Sequence, residues 1–305
     1  MQRKRSHQDI KLWICPVDPT IIHRRACATR QAETGLWFIN GPFQRWHFGI
    51  GEDNKVIYLQ GKCTCKGIII DDMLLTNWRI LAGSGKTILW YVNQYHFLRL
   101  FCVTNVRYLE FDAYLFDRSS AAVEQVKSLN RGTHSAAVVY FYCSFDNIVS
   151  QEPVSILGSF VAQLSDLLPE ILNDLKDSYE QLLIPDIETQ IELILKHTAS
   201  LQKLFVLVDA LNESYQAEAA LEALLELGKR ASNIRVLVSS TTWLLAPERR
   251  VNLRLIDVTI STSLAGEDIQ TFVSTQVEER PILCHLPAAT KGYIKHILVE
   301  KADGM

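Results

Sequence analysis

The sequence predicts an α/β fold, a doubly wound parallel sheet with flanking helices. Three observations carry that expectation. Short, nearly all-apolar runs recur along the chain, amphipathic stretches with helical spacing separate them, and one run, L-F-V-L-V-D (204–209), ends abruptly on a carboxylate. Strands this apolar must be covered on both faces, which a parallel sheet with crossover helices achieves.

Taken in order, residues 1–50 form a helical leader or linker, whose basic opening M-Q-R-K-R is expected to be solvated and frayed. K-V-I-Y-L-Q (55–60) is a strand, and A-A-V-V-Y-F-Y-C-S-F (136–145) is β-branched and aromatic, as a buried strand requires. S-I-L-G-S-F-V-A-Q-L (155–164) has helical spacing and is opened by Pro153, with further helices expected at 168–182 and 186–199. After the strand ending at Asp209 comes a helix rich in Ala, Leu and Glu at 215–230. I-R-V-L-V-S-S (234–240) and L-R-L-I-D-V-T-I (253–260) are strands, and helices at 266–279 and 287–301 close the chain. The domain boundaries follow: a leader at 1–50, a core at 51–262 and the start of a helical segment at 263–305.

Composition narrows the function. With 305 residues, 48% hydrophobic and 21% charged, the chain has the make-up of a globular protein with ample core. A net charge of −3 gives no electrostatic case for nucleic acid. No apolar run approaches the roughly 20 residues that span a bilayer. Neither nucleic acid nor membrane is therefore an expected partner. Seven cysteines are scattered except for Cys63 and Cys65, whose C-T-C spacing is wrong for a paired zinc knuckle and finds no matching second pair. They read as reduced thiols of a cytoplasmic protein.

A phosphate site is the sharpest chemical signal. In A-G-S-G-K-T (82–87), Gly83 and Gly85 permit a tight turn before a helix, so that backbone N–H groups, with Ser84 among them, converge on phosphate oxygens. Lys86 would reach the β- and γ-phosphates and the Thr87 hydroxyl would ligand Mg²⁺. Asp209, at a strand tip, would hold the metal, and Glu213 in V-D-A-L-N-E would orient the attacking water, with Asn212 beside it. Ligands of such sheets bind at the carboxyl ends of strands, so Ser84–Thr87 and Asp209 are expected to meet.

These residues resemble a known family. V-D-A-L-N-E, A-G-S-G-K-T, R-Q-A-E-T-G-L-W-F-I (30–39) and F-Q-R-W (43–46) look like NACHT-type STAND NTPases of filamentous fungi, close to the nephrocystin-3-like N-terminal domain that is often attached to ankyrin or other repeats. D-I-Q-T-F-V (268–273) and E-K-A-D-G-M (300–305) look like the helical segment that follows the family's nucleotide core. The resemblance implies a P-loop NTPase sheet of RecA/AAA-like type, ATP or GTP with Mg²⁺ as the cofactor, and self-association through this module. Effector and repeat parts would lie outside these residues, and the ending mid-pattern is expected of a truncation or fragment.

The pattern breaks in two places. The strand ends at Gly61-Lys62 and the loop resumes only at Ala82; without residues 63–81 the text is V-I-Y-L-Q-G-K-A-G-S-G-K-T, a complete G-x-x-x-x-G-K-[ST] whose first glycine is Gly61. Without residues 90–118 it is G-K-T-I-L-S-S-A-A-V-E-Q-V-K-S-L, one continuous amphipathic helix. Both segments read as insertions, either retained introns or looped-out variants. Asn212 and Thr241 also depart from the resembled pattern, which has an acidic residue and a γ-phosphate-sensing arginine there. A hydroxyl lacks the charge and forked donors of guanidinium. Two functions are expected to compete: a nucleotide-operated switch with slow or absent hydrolysis, and a degenerate, non-catalytic scaffold whose loop is broken by insertion.

Overall fold

The computed structural model describes residues 2–30, 34–49, 54–61, 113–132, 135–145, 152–260, 262–281 and 283–303. All of them except Ala113 and Tyr114 belong to one compact unit, Met1–Lys62 with Leu115–Met305. Residues 83–87, and nearly all of the two segments read as insertions, lie outside the described residues.

Five strands, β1 (Val56–Gln60), β2 (Ala136–Tyr142), β3 (Lys203–Asp209), β4 (Ile234–Ser240) and β5 (Ile256–Thr259), pair in parallel in the order β2-β3-β4-β1-β5. Register runs Val56 to Val236, Ile57 to Ile256, Val206 to Val236 and Tyr142 to Asp209. β3, β4 and β1 lie inside the sheet, which is why their central residues, such as Leu204–Val208 of β3 and Val236–Val238 of β4, are apolar. β5 is an edge strand pairing with β1 alone, and its ladder is no longer than its partner's. The strand expected over 253–260 is shortened accordingly.

Helices cover both faces. Four precede the sheet: α1 (Gln2–Ile14), α2 (Pro19–Thr29), α3 (Leu36–Asn40) and α4 (Pro42–Phe48). α5 (Ala113–Leu129) leads into β2, α6 (Pro153–Leu164), α7 (Lys176–Glu180) and α8 (Ile187–Thr198) join β2 to β3, and α9 (Ala217–Arg230) joins β3 to β4. The short α10 (Pro247–Arg250) joins β4 to β5, and α11 (Thr262–Glu279) and α12 (Ala288–Asp303) follow.

Side chains alternate across the strands. Val56, Tyr58, Val206, Val208, Val236 and Val238 join a core with α1, α6, α8 and α9. Ile57, Leu59, Tyr142, Phe205, Leu207 and Leu237 join the opposite core with α3, α4 and α5. α9 shows why it docks: its buried residues Ala220, Leu221, Ala223, Leu224, Leu227 and Gly228 make one stripe. Right-handed crossovers require opposite faces when the winding direction reverses. The passage from β1 to β2 carries α5 on one face, and the return through α6, α8 and α9 runs on the other. Helices on opposite faces therefore part at the carboxyl ends of β1, β3 and β4.

Two sequence expectations shift. The basic opening expected as a linker end runs into helix α1, Gln2–Ile14, whose Ile10 and Ile14 are buried. The single helix expected at 168–182 is a 3₁₀ turn at Pro169–Leu172 followed by α7. Pro169 disfavours helical angles at the residue before it, and Leu168 sits at φ −124°, ψ 72°. The leader is also a structural layer: Phe38, Phe43 and Trp46 are fully buried against the sheet. Asp268 on α11 accepts hydrogen bonds from Gly35 N (3.0 Å) and Trp37 Nε1 (3.1 Å), so the closing helices are tied to the T-G-L-W stretch.

α1 and α6 touch backbone to side-chain position. A Cβ on Gly158 would lie 2.3 Å from the Ile14 carbonyl oxygen. Gly158→Ala is expected to cost about 1–3 kcal/mol through this overlap. Urea denaturation checks it: the midpoint falls while the slope stays constant.

Candidate functional site

The site is built on the tip of β3. Six residues, K-L-F-V-L-V, carry the strand into the core, and Asp209 follows with its side chain on the face covered by α5. It is only 2% exposed. Its Oδ1 accepts hydrogen bonds from two hydroxyls: Ser119 Oγ of α5 at 2.5 Å, and Ser239 Oγ at the end of β4. Ser239 Oγ in turn accepts from Ala210 N at 2.9 Å. Oδ2 is buried and has no partner among the described residues. Burial pushes the Asp209 carboxyl up to about 6, against the lowering effect of the Ser119, Ser239 and Ala210 donors.

Beyond Asp209 the chain turns sharply. Ala210 takes the left-handed region at φ 52°, which costs a non-glycine residue roughly 1–2 kcal/mol. A 3₁₀ turn, Leu211–Glu213, follows. Asn212 Oδ1 accepts from Thr241 N at 2.9 Å, and Glu213 Oε2 accepts from Phe145 N at 3.1 Å. One turn thereby ties the ends of β4 and β2 together. At the end of β1, Gly61 N donates to Ser240 O at 3.0 Å.

Gly61, Asp209, Asn212, Glu213 and Thr241 thus share the carboxyl rim of the sheet. Gly83, Ser84, Gly85, Lys86 and Thr87 lie outside the described residues, so their expected meeting with Asp209 does too. The two arginines after β4 are engaged elsewhere: Arg249 pairs with Glu218 and Glu222 of α9, and the Arg250 guanidinium lies 4.8 Å above the Trp243 ring. Sequence reasoning missed Ser119 and Ser239. The signal for Ser239 was a polar S-S ending on an otherwise apolar strand; the contact of Ser119 with Asp209 bridges 90 positions and leaves no local trace.

Chemically, one buried carboxylate oxygen has no partner among the described residues while the other oxygen is held by two hydroxyls. Hard divalent cations such as Mg²⁺ take oxygen ligands from one or two carboxylates and complete their shell with water and phosphate. An orphaned, ionisable oxygen at a strand tip fits that demand.

Residues 118–241 match the family model described as nephrocystin 3, N-terminal. That stretch of the chain is similar to the nephrocystin 3 N-terminal family. It runs from the start of the α5 segment that reaches Asp209 to Thr241 just past β4, so it contains Ser119, Asp209, Asn212, Glu213 and Ser239. No curated protein and no solved structure matches the chain. Among the described residues, no helix is long and apolar enough to cross a membrane.

Proposed function

We propose that the carboxyl rim of the sheet at Asp209 holds Mg²⁺ with a nucleoside triphosphate, ATP or GTP, and that the chain is a nucleotide-operated signalling switch of the NACHT/STAND class. The observation that carries this reading is the buried Asp209 carboxylate with Oδ2 open. A hydroxyl from the helix after β1, Ser119, stands on the other oxygen. In P-loop NTPases a loop Ser or Thr and a strand-end Asp share the Mg²⁺ shell. The bound ion neutralises phosphate charge. Asp209 anchors it, and Ser119 and Ser239 fix the carboxylate's orientation. The sheet order supports a RecA/AAA-like P-loop type, since β4 lies between the strand that leads toward A-G-S-G-K-T and the strand that carries Asp209. The nephrocystin-3-like match supports the family reading.

Hydrolysis is slow or absent in this account. Glu213 accepts a hydrogen bond from the Phe145 N–H at the rim, and in this reading its carboxylate orients the attacking water. Thr241 brings no guanidinium to a γ-phosphate, and its N–H is bonded to Asn212. A switch tolerates slow turnover because the bound state then persists. Self-association through this module and a cytoplasmic setting belong to the same reading. The competing one, a scaffold that binds no nucleotide, draws on the interruption between Gly61 and Ala82.

Titration with a fluorescent ATP analogue in Mg²⁺ separates them. Lys86 supplies a charge-assisted contact worth roughly 1.5–3 kcal/mol. Lys86→Ala is expected to weaken binding about ten- to hundredfold. Equal affinity in the variant, or none in the wild type, overturns the proposal.

A further inference from the structure

A second cluster of chemistry-bearing side chains lies between α2 and α5. His23 and Cys27 stand four residues apart and so share one face of α2. Glu124 comes from α5. His23 Nε2 is 2.9 Å from Glu124 Oε1 and 3.6 Å from Cys27 Sγ, and one donor atom from each residue lies within 4.8 Å of the others. His23 is 5% exposed, and its Nδ1 is 2.7 Å from the Tyr142 hydroxyl.

One cation already sits here. Lys127 Nζ is 3.2 Å from His23 Nε2 and 3.1 Å from Glu124 Oε1. Nε2 either donates to Glu124 Oε1 or accepts from the Lys127 ammonium, and the second arrangement places the imidazole proton on Nδ1, facing the Tyr142 oxygen. That is the tautomer a metal-ligating histidine takes, with its second nitrogen donating to an oxygen behind it. In that tautomer Nε2 and Oε1 are two acceptors 2.9 Å apart that need positive charge beside them, and Lys127 supplies it.

We propose that His23, Cys27 and Glu124 form a binding site for a thiophilic divalent cation of the zinc class, which fastens α2 to α5, and that Lys127 occupies the cation's place in the metal-free protein. Sulfur, nitrogen and oxygen from three residues are a donor set for Zn²⁺, with water as the fourth ligand. Calcium and magnesium, which demand oxygen, are excluded by it. On binding, the Cys27 thiol loses its proton to solvent as the S–Zn bond forms, and the Lys127 ammonium swings out to water. No electron changes hands. The cation would lock the helix that carries Ser119, five residues before Glu124.

Cobalt(II) is the probe, added to the chelator-treated full chain. A thiolate-to-cobalt charge-transfer band in the near ultraviolet is expected, bleached by one equivalent of Zn²⁺. Cys27→Ser is expected to abolish the band while far-ultraviolet circular dichroism stays unchanged. Lys127→Met is expected to keep it and to bind Co²⁺ at least as tightly, because a competing charge is gone. The absence of a band overturns the proposal. So does a band that survives Cys27→Ser, which comes from thiolates elsewhere such as Cys63 and Cys65. Weaker binding by Lys127→Met removes the stand-in role.

Discussion

Asp209→Asn is expected to make the ligand-free protein more stable at pH 8, by about 1–3 kcal/mol, although it changes a residue the proposed function needs. The carboxyl titrates at about 6 in the fold against 3.8 ordinarily. In that interval the folded state binds more protons than the unfolded state, so stability falls as pH rises from about 4 to about 6. The loss is complete above about 6 and stays at higher pH. A displacement of this size corresponds to roughly 3 kcal/mol, and the two hydroxyl donors are already included in it. Asn removes the buried charge, keeps an acceptor oxygen for Ser119 and Ser239, and puts a donor where Oδ2 stood. Urea denaturation at pH 8 and pH 5 checks the sign. The gain shrinks toward pH 5, where the wild-type carboxyl is already protonated in the fold. An Asn variant that is less stable at pH 8, or gains equally at both pH values, contradicts the account of Asp209 as a destabilising charge kept for a cation.

Trp46→Ala is expected to cost about 3–5 kcal/mol. Trp46 is fully buried, its ring stands edge-on to Phe205 at 5.4 Å and tilted against Phe43 at 5.6 Å, and its indole N–H donates to Lys55 O at 3.2 Å. Removing it leaves a cavity between α4 and the middle of β3, and leaves the Lys55 carbonyl without that donor. Trp46→Phe retains most of the packing and loses the hydrogen bond, so its expected cost is smaller. Equilibrium unfolding by fluorescence of the remaining tryptophans, alongside circular dichroism, measures both. A loss under about 1 kcal/mol for the Ala variant shows that residues 42–48 are a surface appendage rather than a layer of the fold.

Much of the sheet was legible because its inner strands are short apolar runs bounded by polar residues. L-F-V-L-V-D and I-R-V-L-V-S-S needed no tertiary information. α9 was legible for the corresponding reason, a single stripe of Ala and Leu. The leader was not. Phe38, Phe43 and Trp46 pack on a sheet surface built from residues far along the chain, and no local period announces which face they meet. The 168–182 stretch misled because Ile171, Leu172 and Leu175 have helical spacing while Pro169 sets the turn.

The site divides in the same way. Asp209 stood out as a charge at the end of an apolar strand, and Asn212 and Glu213 followed from its neighbourhood. Ser119 and Ser239 became visible only when sheet order brought α5 and β4 to one carboxylate. A serine in a helix or at a strand end is ordinary by sequence, and its role is decided by what lies opposite.

The central claim is that Asp209 Oδ2 is kept open for a nucleotide-bound cation. Isothermal titration of wild type and Asp209→Asn with a non-hydrolysable ATP or GTP analogue, with and without Mg²⁺, tests it most directly. Wild-type affinity is expected to rise at least about tenfold when Mg²⁺ is added, equivalent to 1.4 kcal/mol, and that rise is expected to vanish in Asp209→Asn. An equal Mg²⁺ response in both proteins, or no nucleotide binding by the wild type under either condition, contradicts it.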